Sequence, residues 1–484
     1  MRAIVAVYDR KEKRAAQKTV EMLKALRHRG ADAFGAATPK SIDLKAEPEQ
    51  LQMRDAESKT AVGQVFLQVL PLDKPQPIKL ENIASVFDGR IYQSPKLYST
   101  EATVNMLAAG GESGAEALIG ESDGSFACAV AEAERLIVGR DALGLYPLYY
   151  GGKDCVFAFA SECKALWKIG VKEAKSFPPG HVMVVDGKNL TIKPVKVLKK
   201  RVVRPSPLSM EEAVEKLQGL LERSVREKTA GLDRVAVAFS GGLDSSLTAF
   251  LAKEAGAEVH LIHVSLENQL ESVQAEEAAS LLGLPFHKYL YSEKAVEHAL
   301  PQVLWAVESP DPIKTSIGIP LYWTAERAAE LGFRVLLVGQ GADELFGGYK
   351  RYLTLYSRYG GAFVEKAMAN DVLRMYENNF ERDFKLCSFH NVELRLPFAA
   401  YPLVEFALNL PLKLKINSKS DMLRKIVLRK TAEKLGLPPK IVNKPKKAIQ
   451  YATGVDKALK KLAKREKLPL KQYLQKTFQK LAKF

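Results

Sequence analysis

The sequence predicts two domains of different class: an α+β sandwich in the first half, and an α/β domain with a doubly wound parallel sheet and a helical extension in the second. Three observations support this. A length of 484 residues exceeds what one hydrophobic core usually supports. The first half is made of short apolar runs and turns, whereas the second alternates apolar strands with amphipathic helices. A basic, proline-bearing stretch separates them, so we predict domains at 1–194 and 210–484 with a linker at 195–209.

The individual elements follow from apolar periodicity. In the first half we predict strands at 3–7, 65–70, 125–131, 136–139 and 155–160, and one helix near 11–27. In the second half we predict strands at 234–239, 258–264, 286–291 and 334–338, and helices ending at 255 and spanning 271–282 and 322–331. Beyond residue 371 the pattern is mostly helical.

Composition favours a globular protein of the cytoplasm. No apolar stretch is long enough to cross a membrane, and the first residues lack the pattern of a secretory signal. The four cysteines are scattered without a CxxC pair, so buried free thiols are expected rather than a zinc site or disulfides.

The net charge of +16 is concentrated at the end of the chain, where residues 440–484 hold 14 Lys or Arg and two acids. Such a cluster suits nucleic acid, an anionic nucleotide or solvent. Apolar residues recur at helical spacing between 459 and 481, which predicts that this tail packs on the rest of the protein. Nucleic acid is therefore the less favoured partner.

The strongest chemical signal is the segment SGGLDSS at 240–246, which follows an apolar strand and opens a helix. Ser240 and the paired glycines Gly241 and Gly242 let the backbone approach an anion, and the N-terminus of the helix attracts it. A bare SGG is more often a plain capped turn, but the full string is far more specific. No Lys follows the glycines, unlike GxxxxGK(S/T), so another group must offset the phosphate charge. Asp244 is a candidate ligand for such a magnesium ion.

Two further segments complete the pattern. GQGADELFGGY at 339–349 follows another strand, and the carboxyl ends of neighbouring parallel strands face one crevice, so Asp343 is expected near Asp244. Two carboxylates plus phosphate oxygens make a magnesium site. KPKKAIQY at 444–451 adds lysines that could stabilise a pyrophosphate leaving group. Taken alone, the first would be a helix cap and the second a solvated charge run.

Together these segments resemble the synthetase domain of the asparagine synthetase family, whose motifs are SGGLDSS, GEGADELFGGY and a late R-x-K. Further matches in order are Glu308 and Asp311 for E-x-x-D, PLY at 320–322 for P-M-Y, RLPF at 395–398 for R-x-PF, Lys425 and Arg429 for K-x-x-L-R, and LP at 437–438. The resemblance covers residues 208–454 and implies a sheet like that of adenine nucleotide alpha hydrolases.

The resemblance also implies a two-step reaction, in which ATP adenylates a carboxylate with release of pyrophosphate and ammonia then forms the amide. By position, the nucleotide-binding residues are Ser240, Gly241, Gly242, Asp244, Ser245, Ser246, Gly339 and Gly341; the Mg²⁺ ligands are Asp244 and Asp343; and the catalytic residues are Lys446, Asp343, Glu344 and Gln340. Aspartate is the default acceptor and asparagine the default product.

Two departures bear on the acceptor. Gln340 stands where the family usually has Glu, which replaces a carboxylate that could accept a proton by a neutral amide. The sequence PFAA at 397–400 replaces the family's PFLD and loses another acid. ATP activation is expected to survive both changes, whereas the identity of the acceptor carboxylate stays open.

The first half resembles the class II glutamine amidotransferase domain, an Ntn-hydrolase-like fold. The matching strings are LRHRGAD at 26–32, DGSFA at 123–127, GRDALGLYPLYY at 139–150 and FASECKAL at 159–166. These strings belong to the fold and its interfaces, and the catalytic positions differ. Arg2 replaces the family's nucleophilic Cys, Asp88-Gly89-Arg90 replaces Asn-Gly-Glu, and the family's substrate-binding Arg and Asp fall near Phe66 and Ser99.

We therefore expect that glutaminase activity is lost and that free ammonia or another amine supplies nitrogen. Two other hypotheses remain: an adenylating enzyme that acts on another small carboxylate or a tRNA base, and a non-catalytic ATP-binding scaffold. A homodimer is compatible with the sequence, which does not fix the oligomeric state, and no membrane partner is expected.

Overall fold

The computed structural model describes residues 3–30, 32–53, 57–92, 100–200, 208–418 and 420–481. Within these residues the chain divides into two compact units, one that runs up to Leu198 and includes Ser388–Glu393, and one that holds Lys199–Cys387 and continues from Leu394. Part of the expected linker, 201–207, lies outside the described residues, so the domain limits at 194 and 210 stay predictions. Among the described helices, none combines the length and apolarity needed to cross a membrane.

The first unit holds thirteen strands and three α-helices within its described residues. The strands are β1 Ala3–Asp9, β2 Ala33–Ala37, β3 Ile42–Lys45, β4 Thr60–Phe66, β5 Ile78–Leu80, β6 Ile83–Ile91, β7 Gly124–Ala131, β8 Arg135–Arg140, β9 Tyr149–Lys153, β10 Val156–Ala160, β11 Lys175–Ser176, β12 His181–Asp186 and β13 Asn189–Pro194. The helices are α1 Ala15–Ala25, α2 Thr100–Glu121 and α3 Cys163–Lys168.

These elements form a four-layer sandwich. One sheet has the order β11-β9-β10-β1-β4-β2-β3 and the other β13-β12-β8-β7-β6-β5. Strands β1 and β4 face β6 and β7, while α1 covers the outer side of the first sheet and α2 that of the second. The prediction of an α+β, Ntn-hydrolase-like sandwich is confirmed.

Two local predictions in this unit are wrong. The sequence predicted one helix, yet the described residues also form the short α3 and the longer α2. In α2, Gly111 at φ +54° interrupts the helical backbone and therefore its apolar periodicity. The strand expected at 65–70 runs instead over Thr60–Phe66. The next residues leave the sheet because the backbone N–H groups of Val69 and Leu70 donate to the Asp73 carboxylate at 3.1 and 2.9 Å.

The second unit is built on a five-stranded sheet. Its strands are β14 Arg234–Ala238, β15 Glu258–Leu266, β16 Phe286–Tyr291, β17 Val335–Leu337 and β18 Glu393–Arg395, whose first residue belongs to the first unit. Its helices are α4 Met210–Thr229, α5 Leu243–Glu254, α6 Leu270–Leu282, α7 Glu293–Val307, α8 Pro312–Glu330, α9 Ala342–Phe346, α10 Lys350–Tyr359, α11 Gly361–Leu373, α12 Glu381–Phe389, α13 Tyr401–Asn409, α14 Ile426–Lys434, α15 Pro439–Val442, α16 Ile449–Ala452, α17 Val455–Arg465 and α18 Leu470–Leu481.

The strand order is β16-β15-β14-β17-β18, with parallel pairing from β16 to β17. The chain moves outward from β14 to β15 and β16, then returns to place β17 on the other side of β14. This reversal opens a crevice beyond the carboxyl ends of β14 and β17. The predicted doubly wound parallel sheet is confirmed, and the loops after these two strands carry the predicted site.

Helix bounds in this unit differ from prediction in one place. Helix α8 begins at Pro312, ten residues before the expected start, because Asp311 caps it by accepting from the Lys314 N–H at 2.7 Å and Pro320 is accommodated inside. The basic tail forms α17 and α18, which pack on α7 and α8 through buried residues such as Leu459 and Leu474, as predicted. The four cysteines are free; two are buried and two half-buried.

Candidate active site

The phosphate loop joins β14 to α5 in a conformation that only glycine permits. Gly241 has φ +64°, and a Cβ there would lie 2.7 Å from the Ala275 Cα. The Ser245 hydroxyl accepts from the Ser240 N–H at 3.3 Å and donates to the Gly242 carbonyl at 3.2 Å. Gly242 caps the twelve-residue helix α5, whose N-terminus is thus presented to the crevice. These contacts fix the conformation of the loop and leave the N-terminus of α5 facing the crevice.

The acidic turn after β17 lies directly against this loop. A Cβ on Gly339 would come within 3.1 Å of Asp244 backbone and side-chain atoms, so the absence of a side chain allows the close approach. Gly341, at φ +97°, caps α9 and turns the chain so that Asp343 follows in the first helical turn. The two segments that the sequence predicted to converge therefore meet.

Four charged side chains form a cluster at this junction. The Lys425 Nζ lies 2.6 and 2.8 Å from the two Asp244 carboxylate oxygens and 2.6 Å from Asp343 Oδ1. The Lys446 Nζ lies 2.7 Å from Asp343 Oδ2. Asp244, Asp343 and Lys446, which the sequence singled out, are thus within one ion-pair network, and Lys425 joins them.

The network sets the protonation of its members. Burial alone would raise the pKa of Asp343, but Lys425 and Lys446 outweigh it and hold that pKa well below its usual value. Burial would lower the pKa of Lys446, yet the Asp343 and Asp244 charges raise it above its usual value. Asp343 is consequently a carboxylate and Lys446 an ammonium at neutral pH, which are the forms that cation and phosphate binding need.

The remaining predicted residues occupy different positions. Glu344 is buried beneath the cluster, where its Oε1 accepts from the Tyr349 hydroxyl at 2.5 Å and from the Asn379 amide at 2.6 Å. Burial, followed by the Asp343 charge, raises the pKa of Glu344. Ser246 is fully buried behind the loop. Gln340 is half-buried and lines the crevice.

Four more residues contribute to the site: Lys425, Arg429 and Asn379, to which sequence reasoning gave no role, and Lys444, which it noted only among the lysines of 444–451. Lys425 was noted only as a motif match, although it contacts both carboxylates. Lys444 donates to the Gly241 carbonyl at 3.2 Å, and Arg429 lines the same cavity. Asn379 lies in a π-helical turn, Tyr376–Phe380, an irregularity often found at functional sites. The spacing K-x-x-L-R was the only signal that could have pointed to Lys425 and Arg429.

Three adjoining cavities surround the cluster. One of about 640 Å³ borders the phosphate loop, one of about 200 Å³ lies between β14, β15 and α8, and one of about 750 Å³ lies beside α8 and α10. Lys446 and Lys447 line all three. The Lys446 side chain therefore borders all three cavities.

In the first unit, Arg90, one of the positions that differ from the glutaminase pattern, forms buried ion pairs. Arg90 is 8% exposed and its guanidinium donates to the Asp73 carboxylate at 2.5 and 2.7 Å and to Glu393 at 2.9 Å. Gly89 cannot carry a side chain, since a Cβ would lie 2.2 Å from the Ser125 carbonyl oxygen. Phe66 is buried. Arg2 and Ser99 lie outside the described residues.

The other motifs of this unit are joined to one another. The fully buried Glu162 carboxylate lies 3.1 Å from the His28 Nε2 and 3.3 Å from the Arg29 Nη1. Asp141 accepts from the Phe126 N–H at 3.1 Å, and burial raises the pKa of Asp141 to about 6. These residues hold the sandwich together, which agrees with their interpretation as fold residues.

Known proteins share this two-part organisation. A family model described as asparagine synthase matches residues 216–363 and 358–480, and one described as a glutamine amidotransferase domain matches 1–177. A protein of Methanocaldococcus jannaschii named "Putative asparagine synthetase (glutamine-hydrolyzing) 1" is 31% identical and covers 93% of this chain and 93% of its own length. "Asparagine synthetase (glutamine-hydrolyzing) 2" of Arabidopsis thaliana is 26% identical over 90% of this chain and 75% of its own length.

Among solved structures, the one described as the allosteric regulatory enzyme of purine biosynthesis aligns at 13% identity over 60% of this chain and 80% of that chain, with a TM-score of 0.37. That likeness is too low to carry a conclusion. The family models and the relative that is 31% identical over nearly the whole chain do carry one. The chain belongs to the asparagine synthase family, whose members are ATP-dependent carbon–nitrogen ligases.

Proposed function

We propose that the protein joins ammonia to a carboxylate through an acyl-adenylate, with aspartate as the default acceptor, and that it does not hydrolyse glutamine. The observation that carries the proposal is the meeting of the phosphate loop, the acidic turn and Lys446 at one cluster, where Asp343 lies 2.7 Å from the Lys446 ammonium. Each of these groups suits one part of a triphosphate.

The cavities suggest where the parts of ATP bind. The loop around Gly241 and the N-terminus of α5 offer N–H donors to the terminal phosphates. The cavity of about 640 Å³ next to the loop is lined by the cationic side chains Lys425, Arg429, Lys440, Lys444, Lys446 and Lys447. The smaller cavity is lined by apolar side chains such as Ile262, Val264 and Leu321, which suit the adenosine.

Magnesium fits the donors present. The Asp244 and Asp343 carboxylates both reach the point that the Lys425 ammonium occupies, so they converge closely enough to share one cation. Hard carboxylate oxygens, completed by phosphate oxygens and water, are what Mg²⁺ prefers. No group of three or more acidic, His or Cys side chains suited to a metal exists within the described residues, so these two carboxylates would be its protein ligands. When bound, the ion would offset negative charge on the phosphates.

In the first step, an oxygen of the acceptor carboxylate attacks the α-phosphorus of ATP and pyrophosphate leaves. Lys446 lies at the junction of the three cavities and is held there by Asp343, so its ammonium is placed to stabilise charge that develops during this transfer. In the second step, neutral ammonia attacks the acyl carbon, AMP leaves and a proton is released. The Gln340 side chain can orient the ammonia or the acyl group by hydrogen bonding, but as an amide it cannot accept the released proton.

The third cavity supports an acidic acceptor. It has a volume of about 750 Å³ and is lined by seven basic side chains, Lys314, Lys350, Arg351, Arg382, Arg424, Lys446 and Lys447, and by three acidic ones, Asp311, Glu344 and Asp371. An excess of positive charge attracts a substrate with more than one carboxylate. Aspartate meets this requirement. Ala400 stands where the family's PFLD has its Asp. Ala400 is buried and does not line this cavity, so that replacement leaves the charges of the cavity unchanged.

Loss of glutamine hydrolysis is supported by the first unit. The Arg90 guanidinium is saturated by two buried carboxylates and adds a large side chain where the family has a shorter acid. Cys128, the first cysteine of the chain, is buried in β7, and burial raises the pKa of its thiol to about 12, so it offers no thiolate.

The test is product analysis with labelled nitrogen. Purified protein is incubated with ATP, Mg²⁺ and aspartate or other carboxylates, with either ¹⁵N-ammonium or amide-¹⁵N-glutamine, and amide, AMP and pyrophosphate are measured. We expect labelled amide with equimolar AMP from ammonium only. Glutamate release from glutamine coupled to ATP use would refute the loss of glutaminase. Dependence of AMP formation on RNA, or no ATP turnover with any acceptor, would favour the RNA-modifying or the scaffold hypothesis instead.

A further inference from the structure

The proposed reaction assigns no individual role to one lysine of the cluster, Lys425. The Lys425 side chain is 2% exposed, and its ammonium sits between the carboxylates of Asp244 and Asp343 at 2.6 Å from each. Lys446, in contrast, contacts only Asp343 of the two and is 29% exposed. Lys425 is therefore the group that holds the two carboxylates together.

The backbone is shaped to deliver this ammonium. Arg424 and Lys425 both have φ +54°, a left-handed conformation that is unfavourable for residues with side chains and is tolerated where surrounding contacts enforce it. Arg424 is fixed by donation from its Nε to the Gly348 carbonyl at 3.0 Å. Gly348 leaves room for the lysine, because a Cβ there would lie 2.3 Å from the Lys425 Cε and 1.9 Å from Asp343 Oδ1.

One point between two carboxylates cannot hold two cations. An ammonium and a divalent ion at hydrogen-bonding and coordination distance from the same oxygens would repel each other strongly in a buried site. Lys425 also lines the cavity next to the phosphate loop, so its ammonium can turn from the carboxylates toward phosphate oxygens when these arrive. The geometry thus allows an exchange of cations.

We propose that Lys425 is the resident counter-ion of the magnesium site. In the nucleotide-free protein its ammonium occupies the metal position and keeps divalent ions out. When the metal enters together with the nucleotide, Lys425 moves its charge to the polyphosphate. Metal binding thereby becomes conditional on nucleotide binding. The inference rests on the proposed function in that the nucleotide binds at this loop.

The test uses Mn²⁺ as a spectroscopic probe of the metal site, with binding followed by electron paramagnetic resonance on the full chain. Without nucleotide, we expect weak Mn²⁺ binding to the wild type and binding tighter by about ten-fold or more in Lys425→Met, since a competing charge is removed. Lys444→Met is the matched control: Lys444 lines the same cavity but bonds to the Gly241 carbonyl, and its replacement should leave Mn²⁺ affinity unchanged.

A second arm adds a non-hydrolysable ATP analogue. The analogue should strengthen Mn²⁺ binding to the wild type far more than to Lys425→Met. The proposal is overturned if the wild type binds Mn²⁺ tightly without nucleotide, or if the wild type and Lys425→Met bind it with equal affinity. It is also overturned if Lys444→Met gains as much Mn²⁺ affinity as Lys425→Met. Lys425→Gln serves as a second neutral variant if Lys425→Met does not fold, and the wild-type measurement alone can still refute the idea. Failure of the analogue to bind would instead refute the proposed function, because the nucleotide-free arm does not depend on it.

Discussion

Replacing Asp343 by Asn should destabilise the second unit by an amount that the structure allows us to bracket. Asp343 pairs with Lys425 at 2.6 Å and with Lys446 at 2.7 Å, and its side chain is 13% exposed. Removing one partner of a buried ion pair costs about 3–5 kcal/mol, since a charge is left unpaired. Lys446 is 29% exposed and can regain water, which places the expectation near about 3 kcal/mol.

The stability difference between the wild type and Asp343→Asn depends on pH because the pKa of Asp343 is lowered in the folded protein. A carboxyl group whose pKa is lower in the folded than in the unfolded state contributes stability above its unfolded pKa, and this contribution is lost as the pH falls through the folded pKa. The gap between wild type and Asp343→Asn should therefore be full at pH 7 and begin to close below about pH 4.

The assay is urea unfolding followed by tryptophan fluorescence, since two of the three tryptophans, Trp305 and Trp323, lie in the second unit. Lys446→Met and the double variant complete a mutant cycle, in which the double variant should lose less stability than the two single losses added. A loss below about 1 kcal/mol in Asp343→Asn, or strict additivity in the cycle, would refute the reasoning that these side chains form one buried network.

Three further outcomes are expected. Gly348→Ala should abolish pyrophosphate formation, because its Cβ would lie 1.9 Å from Asp343 Oδ1, whereas Gly219→Ala, which meets nothing within 4 Å, should keep full activity; equal activity of both would contradict the proposed packing. Lys415→Met should stabilise the protein in urea at pH 7 by roughly 2–4 kcal/mol, since burial lowers the pKa of Lys415 to about 7. The wild type, but not this variant, should gain stability between pH 7 and about 10, because the unfolded chain binds the extra proton there. Arg90→Met should lower the melting temperature, because two buried carboxylates lose their partner, without creating glutamine hydrolysis; glutamate released by the variant would contradict the proposal that the catalytic residues for hydrolysis are missing.

The sequence was sufficient for the parts of the fold that depend on local pattern. The parallel sheet, the loop at 240–246 and the acidic turn at 339–349 could be predicted because few other local structures have an apolar strand followed by a Gly-rich turn. Convergence of Asp244 and Asp343 also followed, since strands β14 and β17 end at the same edge of the sheet.

Other features depend on contacts between segments far apart in the chain. Lys425 reaches Asp244 across 181 positions in sequence, and no local pattern indicates that distance. The burial of Glu344 beside Asn379 likewise depends on a π-helical turn 35 positions away. Helix α2 was missed because the positive φ of Gly111 breaks the apolar period on which helix prediction relies.

The central claim is that the cluster at Asp244, Asp343 and Lys446 activates a carboxylate by transferring AMP to it. The most direct measurement supplies aspartate, or whichever carboxylate is amidated, with ¹⁸O in the reacting carboxyl group, together with ATP, Mg²⁺ and ammonium, and determines the isotope content of the products by mass spectrometry. The proposed mechanism predicts that each AMP formed carries one ¹⁸O and that pyrophosphate carries none. Label in inorganic phosphate, or unlabelled AMP alongside labelled substrate and product, would contradict it.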